Sequence, residues 1–350
     1  MTPQQHLDGI RTQILRWHYS ADDADRFIRF YGKMKENFFS PARFHAFVAF
    51  YKSEIAGSGD AAIRASNEAI LTSSIVKCLR SHIRYDEKVA LLADVPITSS
   101  GNCLALSCVF FAVGRNLGLR VVPVSTIHEG VDHRCLLVQL SDGMSIGVDL
   151  ATAKGSAGRE FKLSEAYEEV SRGHHVSKPS QAELFHTDIQ LGGDDDLLAS
   201  ILETRAAKYL RANNVEAAIS QFSKAIRIST NDFDRARLYQ NRAFAHGDAG
   251  NRQLQMDDLC NSINCGRIHK EVFADRALAY GLVRDNDHAL SDIDAALRID
   301  PSFARAYRIK AGVLKAMGDH AGAVDAFNTA KQLDPAAMAS VLQRPRRDAR

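Results

Sequence analysis

The sequence predicts an α+β domain followed by an all-α repeat solenoid, on three observations. The first 100 residues carry helical spacing of apolar residues. One continuous apolar helix, opening at Cys103, then feeds segments that alternate with the two-residue period of strands. Beyond residue 197, a small-residue position returns at Ala218, Gln255 (where an Ala is expected), Ala289 and Ala323, at intervals of 37, 34 and 34.

Taken in order, Ala21 to Phe38, Pro41 to Ile55 and Ala61 to Ile83 each show helical periodicity. Pro41 suits a first helical turn, and Gly57-Ser58-Gly59 breaks the pattern. Phe27, Phe30, Tyr31, Phe38, Phe44, Phe47, Phe50 and Tyr51 fall at helical spacing, which assigns them to core packing and not to a stacking platform. In the next helix Cys103, Leu106, Phe110, Val113 and Leu117 form one stripe, with Leu104, Cys108 and Phe111 as a second apolar row. Asn102 is the expected N-cap, and Gly118 the left-handed residue past the end.

The stretches HRCLLVQL and SIGVDL read as a hairpin about Ser141-Asp142-Gly143. A three-residue turn with Gly143 left-handed places Leu140 opposite Met144, hence Cys135 opposite Asp149, and sets His133 on the face of Asp149. A two-residue turn separates them. Residues 151 to 196, with Gly155, Gly158, Pro179 and Gly192-Gly193-Asp194-Asp195-Asp196, read as a connection ending at a cap.

Composition narrows the classes. The formal charge is +2, with 21 basic and 21 acidic side chains in residues 1–190 and 23 and 21 in the remainder, which favours neither nucleic acid nor an anionic membrane. Arg344, Arg346, Arg347 and Arg350 read as a basic tail. Six cysteines without a CxxC pair point to reduced thiols. The start lacks a charged-then-apolar leader, and no run reaches the roughly 20 apolar residues of a membrane span, so a cytoplasmic location is expected. His174, His175 and His186 have no acidic or thiol neighbours at ligand spacing, and neither a metal nor a cofactor is expected.

The expected chemistry centres on Cys103, His133 and Asp149. A thiol at a helix N-terminus gains thiolate character from the dipole, and a His and an acid on neighbouring strands complete a nucleophile, base and orienting group. His128 is a rival base, set apart from the strand by Glu129-Gly130. Cys135 shares the face of His133 as a core residue or a second thiol.

Gly101-Asn102-Cys103-Leu104-Ala105-Leu106, Arg115-Asn116-Leu117-Gly118-Leu119 and Val148-Asp149-Leu150 resemble the transglutaminase-like superfamily, particularly its bacterial members with tetratricopeptide repeats behind the core. Phe161-Lys162-Leu163-Ser164-Glu165-Ala166, opening a helix, belongs to the same resemblance, which covers roughly residues 60 to 170. It implies a papain-like fold with Cys103 as nucleophile, His133 as general base and acid, and Asp149 orienting His133. Arg134 and Cys135 stand where the family often has an aromatic. Proteases, acyl transferases, deamidating enzymes and inactive scaffolds all belong to this superfamily.

The second half reads as four tetratricopeptide repeats: Ala206, Tyr209, Ala218, Phe222 and Ala225; then Ala243, His246, Leu259 and Ser262, with Gln255 at an Ala position; then Ala277, Tyr280, Ala289, Ile293, Ala296 and Pro301; then Ala311, Leu314, Gly318, Ala323, Phe327, Ala330 and Pro335. Such repeats form a groove for a protein or peptide partner. Asn241 occupies one position of a carboxylate clamp, but Glu203, Glu271 and Asp275 stand where that clamp needs basic or amide groups. Arg305, Arg308 and Lys315 make the fourth inner face basic.

The expected organisation is a helical segment (1–60), a transglutaminase-like domain (61–175), a linker (176–196), the repeats (197–338) and a tail (339–350). The expected function is a thiol-dependent hydrolase or acyltransferase acting on a peptide or amide bond, with the repeats recruiting a protein. The alternative is a non-catalytic adaptor.

Overall fold

The structure is a computed structural model that describes residues 3–38, 50, 53, 57–86, 88–89, 91–98, 100–128, 131–148, 150, 161–162, 189–266 and 269–335. The chain divides into two compact units, Met1–Thr204 and Arg205–Arg350.

The first unit opens with α1 (Pro3–Arg16) and α2 (Ala21–Phe38). Ser20 and Asp23 start α2 as a reciprocal cap. The Asp23 amide donates to Ser20 Oγ at 3.1 Å, and that hydroxyl donates to the Asp23 carboxylate at 2.8 Å. The two helices bury Ile10, Ile14, Trp17, Phe27 and Tyr31. Phe27 and Tyr31 thereby take the core role that their spacing predicts, whereas Phe50 is exposed. Phe44, Phe47 and Tyr51, and all of the Pro41–Ile55 stretch except residues 50 and 53, lie outside the described residues. Helix α3 (Ala61–His82) is capped by Asp60, whose carboxylate accepts from the Ala62 amide at 2.8 Å.

A pair of two-residue parallel strands, β1 (Arg84–Tyr85) and β2 (Ser100–Gly101), leads through a short helical stretch, α4 (Val95–Thr98), to α5 (Cys103–Asn116). Asn102 accepts from the Ala105 amide at 3.0 Å, the expected N-cap. At the other end Gly118 has φ +95°, its amide bonding to Arg115 O and the Leu119 amide to Gly114 O, each at 3.0 Å. These two bonds are the Schellman closure that the glycine's position predicts. Every residue from Leu104 to Gly114 is buried, so α5 is enclosed on most sides.

The main sheet has five strands, β3 (Arg120–His128), β4 (Val131–Gln139), β5 (Ser145–Val148), β6 (Phe161–Lys162) and β7 (Ile189–Leu191). Their spatial order is β6-β5-β4-β3-β7, and every pair is antiparallel. Helix α5 packs on β3 and β4. The β4–β5 turn has the expected register: Gln139 pairs with Ser145, the Leu140 amide donates to Met144 O at 2.8 Å, and Gly143 has φ +89°. A long-range contact holds that turn. The buried Glu68 of α3 accepts from the Ser141 amide at 2.6 Å and from its hydroxyl at 2.8 Å.

Strand β7 falls inside the stretch read as a linker. Its three residues pair with Thr126, Ser125 and Val124 and extend the sheet. So short a segment carries no readable periodicity, which is why the sequence showed only a connection there.

The remaining helices form hairpins: α6 (Asp194–Arg211) with α7 (Val215–Ile228), α8 (Asp232–Asp248) with α9 (Arg252–Asn264), α10 (Lys270–Leu282) with α11 (Asn286–Ile299), and α12 (Ala304–Met317) with α13 (His320–Leu333). The second helices start at Val215, Arg252, Asn286 and His320, reproducing the 37, 34 and 34 spacing of the small residues. Connections of two or three residues fold each pair back on itself. The small residues Ala243, Ala277, Ala289, Ala296, Ala306 and Ala330 are buried, where their size lets the helices approach closely. The whole is a mixed α/β unit followed by an all-α helical solenoid.

Candidate partner-binding surface

The second unit repeats its side-chain contacts as well as its helices. Arg242 of α8 holds Asp258 of α9 with two bonds, Nε to Oδ2 at 2.8 Å and Nη2 to Oδ1 at 2.7 Å. Its remaining nitrogen donates to Ser223 Oγ of the preceding hairpin at 2.8 Å. Thirty-four residues on, Arg276 holds Asp292 with two bonds of 2.8 Å, and its third nitrogen reaches Cys260 Sγ at 3.4 Å. Ser223 and Cys260 occupy the same place in successive second helices. Each arginine therefore ties its own hairpin together and staples it to the one before. The bidentate geometry suits guanidinium and carboxylate. Pairing with Asp292 and with the Cys260 sulfur raises the Arg276 pKa above its already high value, so the clamp is permanently charged.

Gln255 stands where the other repeats have alanine. Space for it comes from Gly247, where a Cβ would lie 2.8 Å from Gln255 Nε2. The amide is fixed by Arg252, which donates to its Oε1 at 2.9 Å.

The first helices of the third and fourth hairpins, α10 and α12, pack directly on each other, while α11 and α13 make no comparable contact among the described residues. The first helices therefore line the inner side of the stack. Phe244, Leu278 and Gly312 occupy equivalent positions on α8, α10 and α12, each 34 residues from the last. They form a row that crosses the helices at one level. Phe244 is 41 % exposed and Leu278 42 %, and Leu282, one turn along α10, is 54 % exposed. At Gly312 no atom lies within 4 Å of where a Cβ would stand, so the row ends in an open notch.

The inner charges are partly used internally. Asp275, buried between the first helices, accepts from Gln240 Nε2 at 3.1 Å and from Arg305 Nη2 at 2.5 Å. Burial raises its pKa, opposed by Arg305 and Gln240. Arg305, one of the residues that make the fourth inner face basic, is therefore committed to Asp275, whereas Lys315 is exposed.

Of the expected catalytic residues, Cys103 is half-buried at the first turn of α5, behind its Asn102 cap. His133 lies in β4 with its backbone opposite Thr126; its side chain lies outside the described residues, as does Asp149. Among the other thiols, burial pushes Cys108 far up and Cys78 up to about 11. Among the described residues, no three His, Cys, Asp or Glu side chains gather as a group able to hold a metal ion. No helix among the described residues is long and apolar enough to cross a membrane.

No family model matches the chain, and no curated protein matches it. Solved structures do. It is similar to the crystal structure of MamA (20 % identity over 40 % of this chain and 81 % of that one, TM-score 0.36). It is similar to YrrB, described as a tetratricopeptide-repeat protein with an unusual peptide-binding site (16 %, 43 % and 79 %, TM-score 0.37). It is also similar to BtubC from P. vanneervenii (22 %, 45 % and 70 %, TM-score 0.37). At these values the repeat assignment rests on the 34-residue geometry itself.

The expectation of a thiol-dependent hydrolase or acyltransferase is therefore corrected, while the placement of Cys103, His133 and Asp149 as a triad falls partly on side chains outside the described residues. No family model matches the chain, and among the described residues no three His, Cys, Asp or Glu side chains gather as a group able to hold a metal ion. The physical reason is that a capped helix start supplies a dipole but not an enzyme. Catalysis also needs a base and its orienting acid converged on the sulfur.

Proposed function

We infer that the protein is a non-catalytic adaptor, whose helical repeats hold a segment of a partner protein against the inner face of α8, α10 and α12. The observation that carries this reading is the row Phe244, Leu278 and Leu282. Large apolar side chains stand exposed there, on helices that bury Leu238, Val272, Ile309 and Val313. Apolar side chains presented side by side on successive helices mark an interaction site, where scattered single ones do not. In this reading the N-terminal mixed α/β unit works without chemistry, and Cys103, His133 and Asp149 are structural residues. The test is capture of partners from a cell extract by the full chain, compared with Phe244→Ser/Leu278→Ser and with Cys103→Ala. The adaptor reading expects the first variant to lose partners that the second retains. Loss with Cys103→Ala alone overturns it.

A further inference from the structure

We propose that acid opens the second hairpin, α8 with α9, at His246, and that the opening withdraws Phe244 from the apolar row and releases the partner. The release rests on the adaptor reading and adds its regulation.

His246 lies one turn after Arg242 on α8, against the Arg242–Asp258 clamp. It is buried, and its Nε2 stands 3.8 Å from Asp258 Oδ2. That carboxylate is already committed. Its two oxygens accept from Arg242 at 2.7 and 2.8 Å, which balances its charge. The other ring nitrogen, Nδ1, is buried without a hydrogen-bond partner. A neutral ring with its proton on Nε2 suits these surroundings. Protonation adds a third charge to a balanced pair, and a second N–H donor that meets no acceptor. Burying an unsatisfied donor is costly, and so is burying an uncompensated charge.

Burial opposes the cation most strongly; Asp258 of α9 favours it, and Arg242 on the ring's own helix opposes it. From α7, which also packs on α8, the clamp receives Ser223, an uncharged group bonded to Arg242. Arg252 of α9 is bonded to Gln255. The open hairpin therefore takes up a proton that the closed one resists. Falling pH draws the equilibrium toward the open form.

The device belongs to one hairpin. Tyr209, Tyr280 and Leu314 stand at the equivalent positions of the other three. The matching clamp of Arg276 and Asp292 thus has a phenol in place of the imidazole. Stacked repeats contact their neighbours alone, so one hairpin can loosen while more distant ones hold. Phe244 precedes His246 by two residues on α8. Opening there takes the first member of the row out of place, together with the staple to Ser223.

The experiment compares the full chain with His246→Tyr, the residue of the first and third hairpins, one pH unit above and one below 6.5. Amide exchange, corrected for its intrinsic pH dependence, is read over Asp232–Asp248 and Arg252–Asn264, with Ala304–Met317 as reference. In the parent, protection of the first two helices is expected to fall about threefold or more on acidification. Neither the variant nor the reference helix should share that loss. Proteins captured from a cell extract at the higher pH should then leave the parent at the lower pH and stay on His246→Tyr. An equal acid response in parent and variant overturns the proposal. Should the tyrosine variant fold poorly, NMR titration of the His246 ring in the parent decides: a midpoint at or above 6.5 overturns it. Protection lost as expected with the partner still held also overturns it, and leaves the adaptor reading standing. Capture that never depends on Phe244 and Leu278 removes the adaptor reading and the release with it.

Discussion

Arg276 grips Asp292 as Arg242 grips Asp258, 34 residues earlier, and each arginine spends its third nitrogen on the preceding second helix. Asp258 and Asp292 are buried and the arginines mostly so, which makes each clamp an electrostatic staple between repeats. Removing one partner leaves the other charge buried, at a cost of about 3 kcal/mol. Asp292→Ala should therefore lower the unfolding free energy by about that amount, while the double replacement Arg276→Met/Asp292→Leu recovers most of it. Denaturant unfolding of the parent, Arg276→Met, Asp292→Leu and the double variant measures the coupling.

Gly247 and Gln255 form a second matched pair. Alanine at Gly247 is favourable for an exposed helix by about 1 kcal/mol, yet its Cβ would stand 2.8 Å from Gln255 Nε2. Gly247→Ala alone is expected to destabilise by about 1–2 kcal/mol, in the range of overpacked sites. Adding Gln255→Ala, the residue the other repeats use, should reverse the sign and leave the double variant at least as stable as the parent. Thermal melts of the parent and the two variants check this.

His246 carries a pH dependence. It is buried beside Asp258 and Arg242, its Nδ1 has no hydrogen-bond partner, and Nε2 lies 3.8 Å from Asp258 Oδ2. Burial lowers its pKa from 6.5; Asp258 opposes the shift and Arg242 adds to it. The unfolded chain therefore takes up a proton before the folded one does. The stability this histidine contributes is complete above pH 6.5 and is lost as pH falls from there toward the lower folded value. His246→Phe should flatten that part of the stability–pH curve. An unchanged curve would show that another group carries the dependence.

Glu68 joins α3 to the β4–β5 turn through both carboxylate oxygens. Glu68→Ala leaves the Ser141 amide and hydroxyl without those acceptors and should cost about 1–3 kcal/mol. Glu68→Gln, which keeps one acceptor, should cost less. Faster amide exchange at Ser141 in the alanine variant is the local readout.

Much of this fold was legible because local chemistry dictated it. Asn102 and Gly118 mark both ends of α5, Gly143 sets the hairpin register, and the recurring small residues mark the second helices. What escaped depends on distant partners. Glu68 meets Ser141 across 73 residues, Asp275 claims Arg305 across 30, and β7 is readable only once β3 is there to pair with it. The thiol-enzyme expectation failed for a related reason. It was drawn from local contexts in the sequence, and a triad is a convergence in space, which helix caps and strand alternation do not encode. The repeated Arg–Asp clamp, in contrast, could have been found by aligning Arg242 with Arg276 and Asp258 with Asp292 at the 34-residue period.

On the adaptor reading, this chain holds a partner on its first helices and does no thiol chemistry at α5. Hydrogen exchange of the full chain, with and without a captured partner, tests it most directly. The account predicts that slowed exchange on binding concentrates in Asp232–Asp248, Lys270–Leu282 and Ala304–Met317. Protection confined to residues around Cys103, with these three helices unchanged, would contradict it.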